Sequence, residues 1–248
     1  MLFKKKQTND TLDAKKLINP NTPFAIREAF STLCTNVIYL PIEDKCKKIA
    51  VTSSVSSEGK TYISINLAIT LANNLDNKKI LLIDMDMRNP SVTRLLNMSE
   101  IATAGDGAGL SEYLAGICKE LPISSTNVEN LSVIFAGAEA SNPAGLINSA
   151  KMVELFEKCE AEYDYIIIDT PPVNVVSDAT LLVNRVNGYL IATRADYSNV
   201  NALGNVLETL NKLGAEVFGV VLSDVNPKKS SAYGRYHKYG SYNKYINE

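Results

Sequence analysis

Between Ile49 and Leu75 an apolar strand, a turn of small polar residues ending in Gly-Lys-Thr, and a helix follow one another without interruption. Ile49 to Thr52 reads as a short buried strand and Ser53 to Gly59 as a loop. Beyond them Ile63, Leu67, Leu71 and Leu75 recur every four residues, which marks a helix starting near Lys60. A strand feeding straight into a helix needs a crossover to return to its sheet, so this unit commits the chain to parallel pairing. The loop, Ser54-Val-Ser-Ser-Glu-Gly59-Lys60-Thr61, fits the phosphate-binding pattern G-x-x-x-x-G-K-[ST], with Ser54 where the first glycine is usual. Such a loop aims backbone N–H groups at phosphate oxygens from the positive end of a helix. Gly59 would allow close backbone approach, Lys60 would supply charge to the β/γ-phosphates, and the Thr61 hydroxyl would ligate Mg²⁺. Ser56, Ser57, Glu58, Gly59, Lys60, Thr61 and Tyr62 are therefore expected to line a nucleoside triphosphate. A chance Gly-Lys-Thr in a surface turn fits poorly with an apolar strand on one side and an amphipathic helix on the other.

The remaining elements repeat the alternation. Pro23 to Leu40 reads as a helix with Ile26, Phe30, Leu33, Val37 and Leu40 on one seam. Lys79 to Asp84 is an apolar strand that ends on an acid; Leu110 to Ala115 is a short helix after Gly105, Gly107 and Gly109. Leu131 to Phe135 reads as a strand, Pro143 to Cys159 as one helix, and Tyr165 to Ile168 as a strand ending at Asp169. Gly188 to Thr193 and Val217 to Leu222 are strands either side of a helix striped by Val200, Leu203, Leu207 and Leu210. The expected fold is one doubly wound α/β domain, a mainly parallel sheet with helices on both faces and ligands bound beyond the carboxyl ends of the strands. We divide the chain into an arm (1–22), a P-loop domain (23–226) and a tail (227–248).

Two further motifs place acids at strand ends. In Leu81-Leu-Ile-Asp84-Met-Asp86-Met-Arg88 the two carboxylates sit at i, i+2, where both can face a phosphate pocket. One suits a base and the other a metal's water shell. In Tyr165-Ile-Ile-Ile-Asp169-Thr-Pro-Pro172 an apolar strand delivers an acid to the position that orients Mg²⁺ in P-loop proteins. Asp178 either faces the same site or, with Ser177, caps a helix.

Composition narrows the classes. With 46% apolar and 21% charged residues and a net charge of −2, nothing favours nucleic acid as a partner. No apolar run approaches the roughly 20 residues that cross a bilayer. Lys4, Lys5 and Lys6 are followed by no apolar stretch, so they read as a solvated arm, with contact to anionic lipid as the alternative. Cys34, Cys46, Cys118 and Cys159 form no CxxC pair, and the single histidine, His237, lies among polar residues. Zinc sites, disulfide frameworks and histidine-based hydrolysis are therefore not expected, and a reducing, cytoplasmic setting is.

From Asn226 onward aliphatic residues almost vanish, while Tyr233, Tyr236, Tyr239, Tyr242 and Tyr245 recur at every third position. Without aliphatic partners they are not a core. They read either as an adhesive aromatic surface or as phosphate acceptors. Lys228, Lys229, Arg235, Lys238 and Lys244 face one acid, Glu248, so phosphates of about −1.5 to −2 charge each would reverse the sign of the segment.

Together these residues resemble the bacterial tyrosine kinases of capsular and exopolysaccharide biosynthesis, P-loop ATPases of the deviant Walker family. The resemblance runs from Pro23 to the C-terminus. It rests on the P-loop, the Asp84-Met-Asp86-Met-Arg88 box, the Asp169-Thr-Pro-Pro box, the stretch Gly109-Leu-Ser-Glu-Tyr-Leu-Ala-Gly116 and the tyrosine tail. It implies an ATP- and Mg²⁺-dependent protein-tyrosine kinase that phosphorylates its own tail tyrosines. Lys60, Asp84, Asp86 and Asp169 would be its catalytic set, with Asp84 as base toward the phenol and Thr61, Asp86 and Asp169 on the metal. It further implies a membrane polysaccharide co-polymerase as activator, a second copy of the chain as substrate, a cognate tyrosine phosphatase, and a place at the inner face of the cell membrane through that partner. In the family the N-terminal helix usually reads E-x-x-R-x-x-R and its arginines help subunits dock into a ring; here Glu28 is followed by Ser31 and Cys34. Two rival readings remain. A partitioning-type ATPase switch would place a lysine where Val55 stands, and a non-catalytic ATP-binding regulator would use the tail only as a contact surface.

Overall fold

The computed structural model describes residues 17–98 and 108–225. In chain order the elements are α1 (Phe24–Ile38), β1 (Lys47–Ser53), α2 (Lys60–Asn74), β2 (Ile80–Asp84), α3 (Val92–Met98) and α4 (Leu110–Leu114). There follow β3 (Ile123–Ser125), β4 (Leu131–Ile134), α5 (Pro143–Ile147), α6 (Ala150–Glu162), β5 (Tyr165–Asp169), a 3₁₀ turn (Asp178–Leu182), β6 (Gly188–Arg194), α7 (Val200–Lys212) and β7 (Val217–Ser223).

The strands form one seven-stranded sheet in the order β3-β4-β2-β5-β1-β6-β7. Every pairing is parallel except β3 with β4. Alternation along each strand sends side chains to two cores. Ile49, Val51, Ile80, Leu82, Tyr165 and Ile167 pack with α2 and with Cys34 and Val37 of α1. Leu81, Ile83, Ile166 and Ile168 pack on the opposite face with α4 and α6, and Ala50, Tyr189 and Ile191 with α7. Strands buried on both faces require the near-continuous apolar runs that mark β2 and β5 in the sequence.

Several elements differ from the sequence reading. The span Pro143 to Cys159 is two helices, not one. Asn148 closes α5, and Ser149, with extended backbone, opens α6 by accepting a hydrogen bond from the Met152 N–H. A side-chain cap at a break of this kind supplies a partner that the interrupted helix ladder cannot. Both α3 and the short antiparallel β3 lie where no strong periodicity had marked an element. Helix α1 stops at Ile38, where Lys47 Nζ donates to the carbonyls of Ile38 (2.6 Å) and Leu40 (3.2 Å), a cation at the negative end of a helix. Residues 17–22, read from sequence as part of the arm, pack onto the domain instead. Leu17 is buried, and the Ile18 N–H donates to Asn66 Oδ1 of α2 at 2.7 Å. Tyr233, Tyr236, Tyr239, Tyr242 and Tyr245 lie outside the described residues, as do Gly105 and Gly107.

The register brings the functional ends together. β5 lies between β1 and β2, with Val51 opposite Asp169 on one side and Asp84 opposite Asp169 on the other. The loop leaving β1 therefore rises beside the carboxyl end of β5, one strand away from that of β2.

Candidate active site

The loop after β1 turns into α2 through Gly59, whose φ of 91° is left-handed and whose added Cβ would meet Ser223 Oγ at 3.1 Å. Only glycine takes that conformation without strain. No described group accepts a hydrogen bond from the N–H groups of Gly59, Lys60 or Thr61. These are unpaired donors at the positive end of a fifteen-residue helix, the arrangement that holds a phosphate. Ser57 also has a positive φ, 67°, at the tip of the loop.

Glu58 does something the sequence did not signal. Its side chain is fully buried and accepts from Ser54 N (2.7 Å), Val55 N (2.9 Å), Ser54 Oγ (2.8 Å) and Ser198 Oγ. Ser54, in the place of a glycine, is thus a partner of Glu58. The outer side of the loop is held from two neighbouring segments. Tyr197 Oη donates to the Ser56 carbonyl (3.3 Å), Arg194 Nη1 lies 3.5 Å from the Ser57 carbonyl, and Ser223 Oγ donates to the Glu58 carbonyl (3.1 Å). Arg194 stacks over the Tyr197 ring and pairs with Asp224 (2.8 Å). Because C=O and the following N–H point opposite ways across a trans peptide, drawing the carbonyls of Ser56, Ser57 and Glu58 outward turns the next amides inward. Arg194, Tyr197, Ser198 and Ser223 carry no motif, and sequence reasoning passed over them.

The other wall is charged. Lys60 Nζ is 2.8 Å from Asp86 Oδ2, 3.7 Å from Asp169 Oδ2 and 3.4 Å from Thr61 Oγ1. Thr61 Oγ1 donates to Asp169 Oδ2 (2.7 Å), and Ser64 Oγ to Asp169 Oδ1 (3.0 Å). Asp84 accepts from the N–H of Asp86 and of Val92, each at 3.2 Å. Burial lifts the Asp169 carboxyl above its ordinary range, against the pull of Lys60. Burial, with Asp169 next to it, lifts Asp84 well above. Burial alone would lower Lys60, but Asp169 and Asp86 outweigh it and hold the ammonium above its usual value. Three buried carboxylates thus share one lysine.

Among the described residues, no cluster of three or more His, Cys, Asp or Glu side chains is arranged to hold a metal by itself. Thr61, Asp86 and Asp169 instead offer three hard oxygen donors around the Lys60 ammonium. That set suits Mg²⁺, which is held through one or two carboxylates together with phosphate and water. Tyr62 turns its ring elsewhere, edge-on to Phe30 of α1 with centroids 5.6 Å apart. Asp178 neither caps a helix by its side chain nor joins the cluster. It is fully buried and gripped by Arg88 through two hydrogen bonds, 2.7 and 3.0 Å. Arg88, the last residue of the Asp84–Arg88 box, therefore ties the turn after β2 to the segment after β5.

A family model described as an AAA domain matches residues 46–218. The tyrosine-protein kinase CpsD of Streptococcus pneumoniae is 33% identical over 216 residues, covering 86% of this chain and 91% of its own. The tyrosine-protein kinase YwqD of Bacillus subtilis (strain 168) is 30% identical over 210 residues, 84% and 85% of the two chains. This chain belongs to the bacterial tyrosine-protein kinase family. The kinase domain of the Escherichia coli tyrosine kinase ETK superposes with a TM-score of 0.71 at 27% identity over 86% of this chain and 85% of that one. The chimerical protein CapA2B2 gives 0.74 at 30% identity over 86% and 88%. The septum site-determining protein MinD of Pyrococcus horikoshii OT3, at 0.58 and 23% identity, shares the fold alone. The fold is thus shared beyond the kinases, while sequence similarity ties this chain to the kinases.

Proposed function

We propose that this kinase transfers the γ-phosphoryl group of ATP to tyrosine, first to Tyr233, Tyr236, Tyr239, Tyr242 and Tyr245 of its own tail in a neighbouring copy. The observation that carries the reading is the meeting of Gly59–Thr61 amides, Lys60 and the carboxylates of Asp84, Asp86 and Asp169 at one point. Thr61, Asp86 and Asp169 would hold Mg²⁺, which supplies neutralisation of phosphate charge when bound. The helix amides and Lys60 bind the β- and γ-phosphates. A phenol oxygen forms the new bond to phosphorus as the bridging oxygen leaves with ADP, and the phenol proton passes to Asp84. A carboxyl raised by burial and by Asp169 is the better proton acceptor for that step. Positioning and charge compensation do the rest.

The wider setting follows from the relatives. Their kinship supports a role in capsular or exopolysaccharide polymerisation and export, at the inner face of the membrane. The partner would be a membrane co-polymerase whose cytoplasmic segment activates the kinase, and a tyrosine phosphatase would reset the tail. No helix among the described residues is long and apolar enough to cross a membrane. Incubation with Mg-ATP, with and without that cytoplasmic segment, followed by mass spectrometry of the tail, tests the proposal. Phosphate on the tail tyrosines that increases with the activator supports it. ATP hydrolysis without tail phosphate would favour a switch, and neither would favour a non-catalytic regulator.

A further inference from the structure

We infer that Glu58 and the turn Arg194–Ser198 form a brace that holds the phosphate loop in its binding shape before nucleotide arrives, so that Tyr197 and Ser198, which lie outside the phosphate-binding motif, help to set nucleotide affinity. The inference rests on the nucleotide site proposed above.

Seven contacts define the brace. Inside the loop, the Glu58 carboxylate gathers Ser54 N, Ser54 Oγ and Val55 N, and Ser198 Oγ joins it from a position 140 residues away. Outside the loop, Tyr197 and Arg194 reach the carbonyls of Ser56 and Ser57, and Ser223 reaches that of Glu58. A buried carboxylate is costly unless its oxygens are filled. Here every partner of that carboxylate belongs either to the phosphate loop or to the turn after β6. An anion is a poor choice beside a triphosphate unless its geometry is needed, since like charges repel. The geometry supplies the reason. Glu58 fixes the first half of the loop, and the outward pull on three successive carbonyls aims the amides that follow.

Tyr197 and Ser198 are therefore positioning residues, not catalytic ones. Tyr197 is 54% exposed, so removing its hydroxyl disturbs no core. Among the described residues, Ser198 is the donor that links the Glu58 carboxylate to the β6 turn.

The test is Mg-ADP affinity by fluorescence titration and steady-state KM and kcat for ATP, in the full chain with its activator segment. Tyr197→Phe and Ser198→Ala should each weaken Mg-ADP binding and raise KM about 5-fold, the size of one lost hydrogen bond, with kcat within about twofold. Ser198→Thr, which keeps the hydroxyl, should return to within about twofold of wild type. A merely structural role would lower the melting temperature without that split and without rescue by threonine. Unchanged affinity in both Tyr197→Phe and Ser198→Ala would overturn the brace, as would a fall in kcat at constant KM. Should Ser198→Ala not fold, Tyr197→Phe decides alone. Failure of the wild-type protein itself to bind Mg-ADP would overturn the nucleotide site and the brace with it.

Discussion

The two walls of the phosphate loop are built on opposite plans. On the side of β6 and β7, the carboxylate of Glu58 has four donors and the carbonyls of Ser56, Ser57 and Glu58 each have a partner, so this wall is assembled as it stands. On the side of β2 and β5, three buried carboxylates share one lysine, and two of them are held above their ordinary pKa by burial. One wall gives shape and the other stores uncompensated charge. A site that must accept a highly charged ligand and its cation gains from both. The complete wall costs nothing to reorganise, and the incomplete one is relieved only when positive charge arrives.

The largest effect should come from removing the one cation of the charged wall. Lys60→Met removes the point charge proposed for the β/γ-phosphates and leaves Asp86 without its 2.8 Å partner. We expect tyrosine phosphorylation to fall by at least about a thousandfold, read as labelled phosphate on tyrosine with the activator present. Retention of labelling would show that the P-loop is not where the chemistry occurs.

The next effect concerns the strut that keeps the charged wall in register. Asp178 is fully buried and Arg88 is about half-exposed, so Arg88→Ala strands a carboxylate with no other side-chain hydrogen-bond partner among the described residues. We expect a loss of about 2–3 kcal/mol, the low end for breaking a buried pair because one partner already meets water. For a chain of this size that is roughly 5–10 °C in melting temperature. Adding Asp178→Asn should restore more than half of it. A single variant as stable as wild type would mean that the pair contributes no structure.

How much of this contrast the sequence carried follows from how far apart the partners lie. The charged wall was legible because each of its parts is local: Gly59-Lys60-Thr61 within one turn, Asp84 and Asp86 at the end of one apolar strand, Asp169 at the end of another. Strand order then only had to set these ends side by side, which parallel pairing through β5 does. The complete wall was not legible, because Glu58 meets Ser198, and Ser56 meets Tyr197, across about 140 residues with no motif at the far end. The break between α5 and α6 was missed for a different reason. Its apolar period continues through Asn148 and Ser149, and only a side-chain cap at Ser149 declares the stop. Cys34 of α1 is turned into the core beside Asn74 of α2, so its role is packing.

The smallest effect has the opposite sign and separates the walls most cleanly. A carboxyl whose pKa is raised by folding disfavours the folded state once the unfolded chain has released its proton. The penalty is absent below the ordinary carboxylate range, grows as pH rises through the interval up to the raised folded value, and stays constant above it. Asp169→Asn removes that group while its amide still accepts from one hydroxyl and donates to the other, Thr61 or Ser64. We therefore expect the nucleotide-free variant to be more stable than wild type by about 1 kcal/mol near pH 7, or roughly 3 °C, with the gap closing as pH falls toward 4. Mg-ATP should reverse the order, raising the melting temperature of wild type and leaving the variant nearly unmoved, because the charge that burdens the free protein is the charge that receives the ion. Melting curves across pH, with and without Mg-ATP, read both signs in one experiment. A variant less stable than wild type at neutral pH would show that Lys60 already balances this wall, and that its charge is no reserve at all.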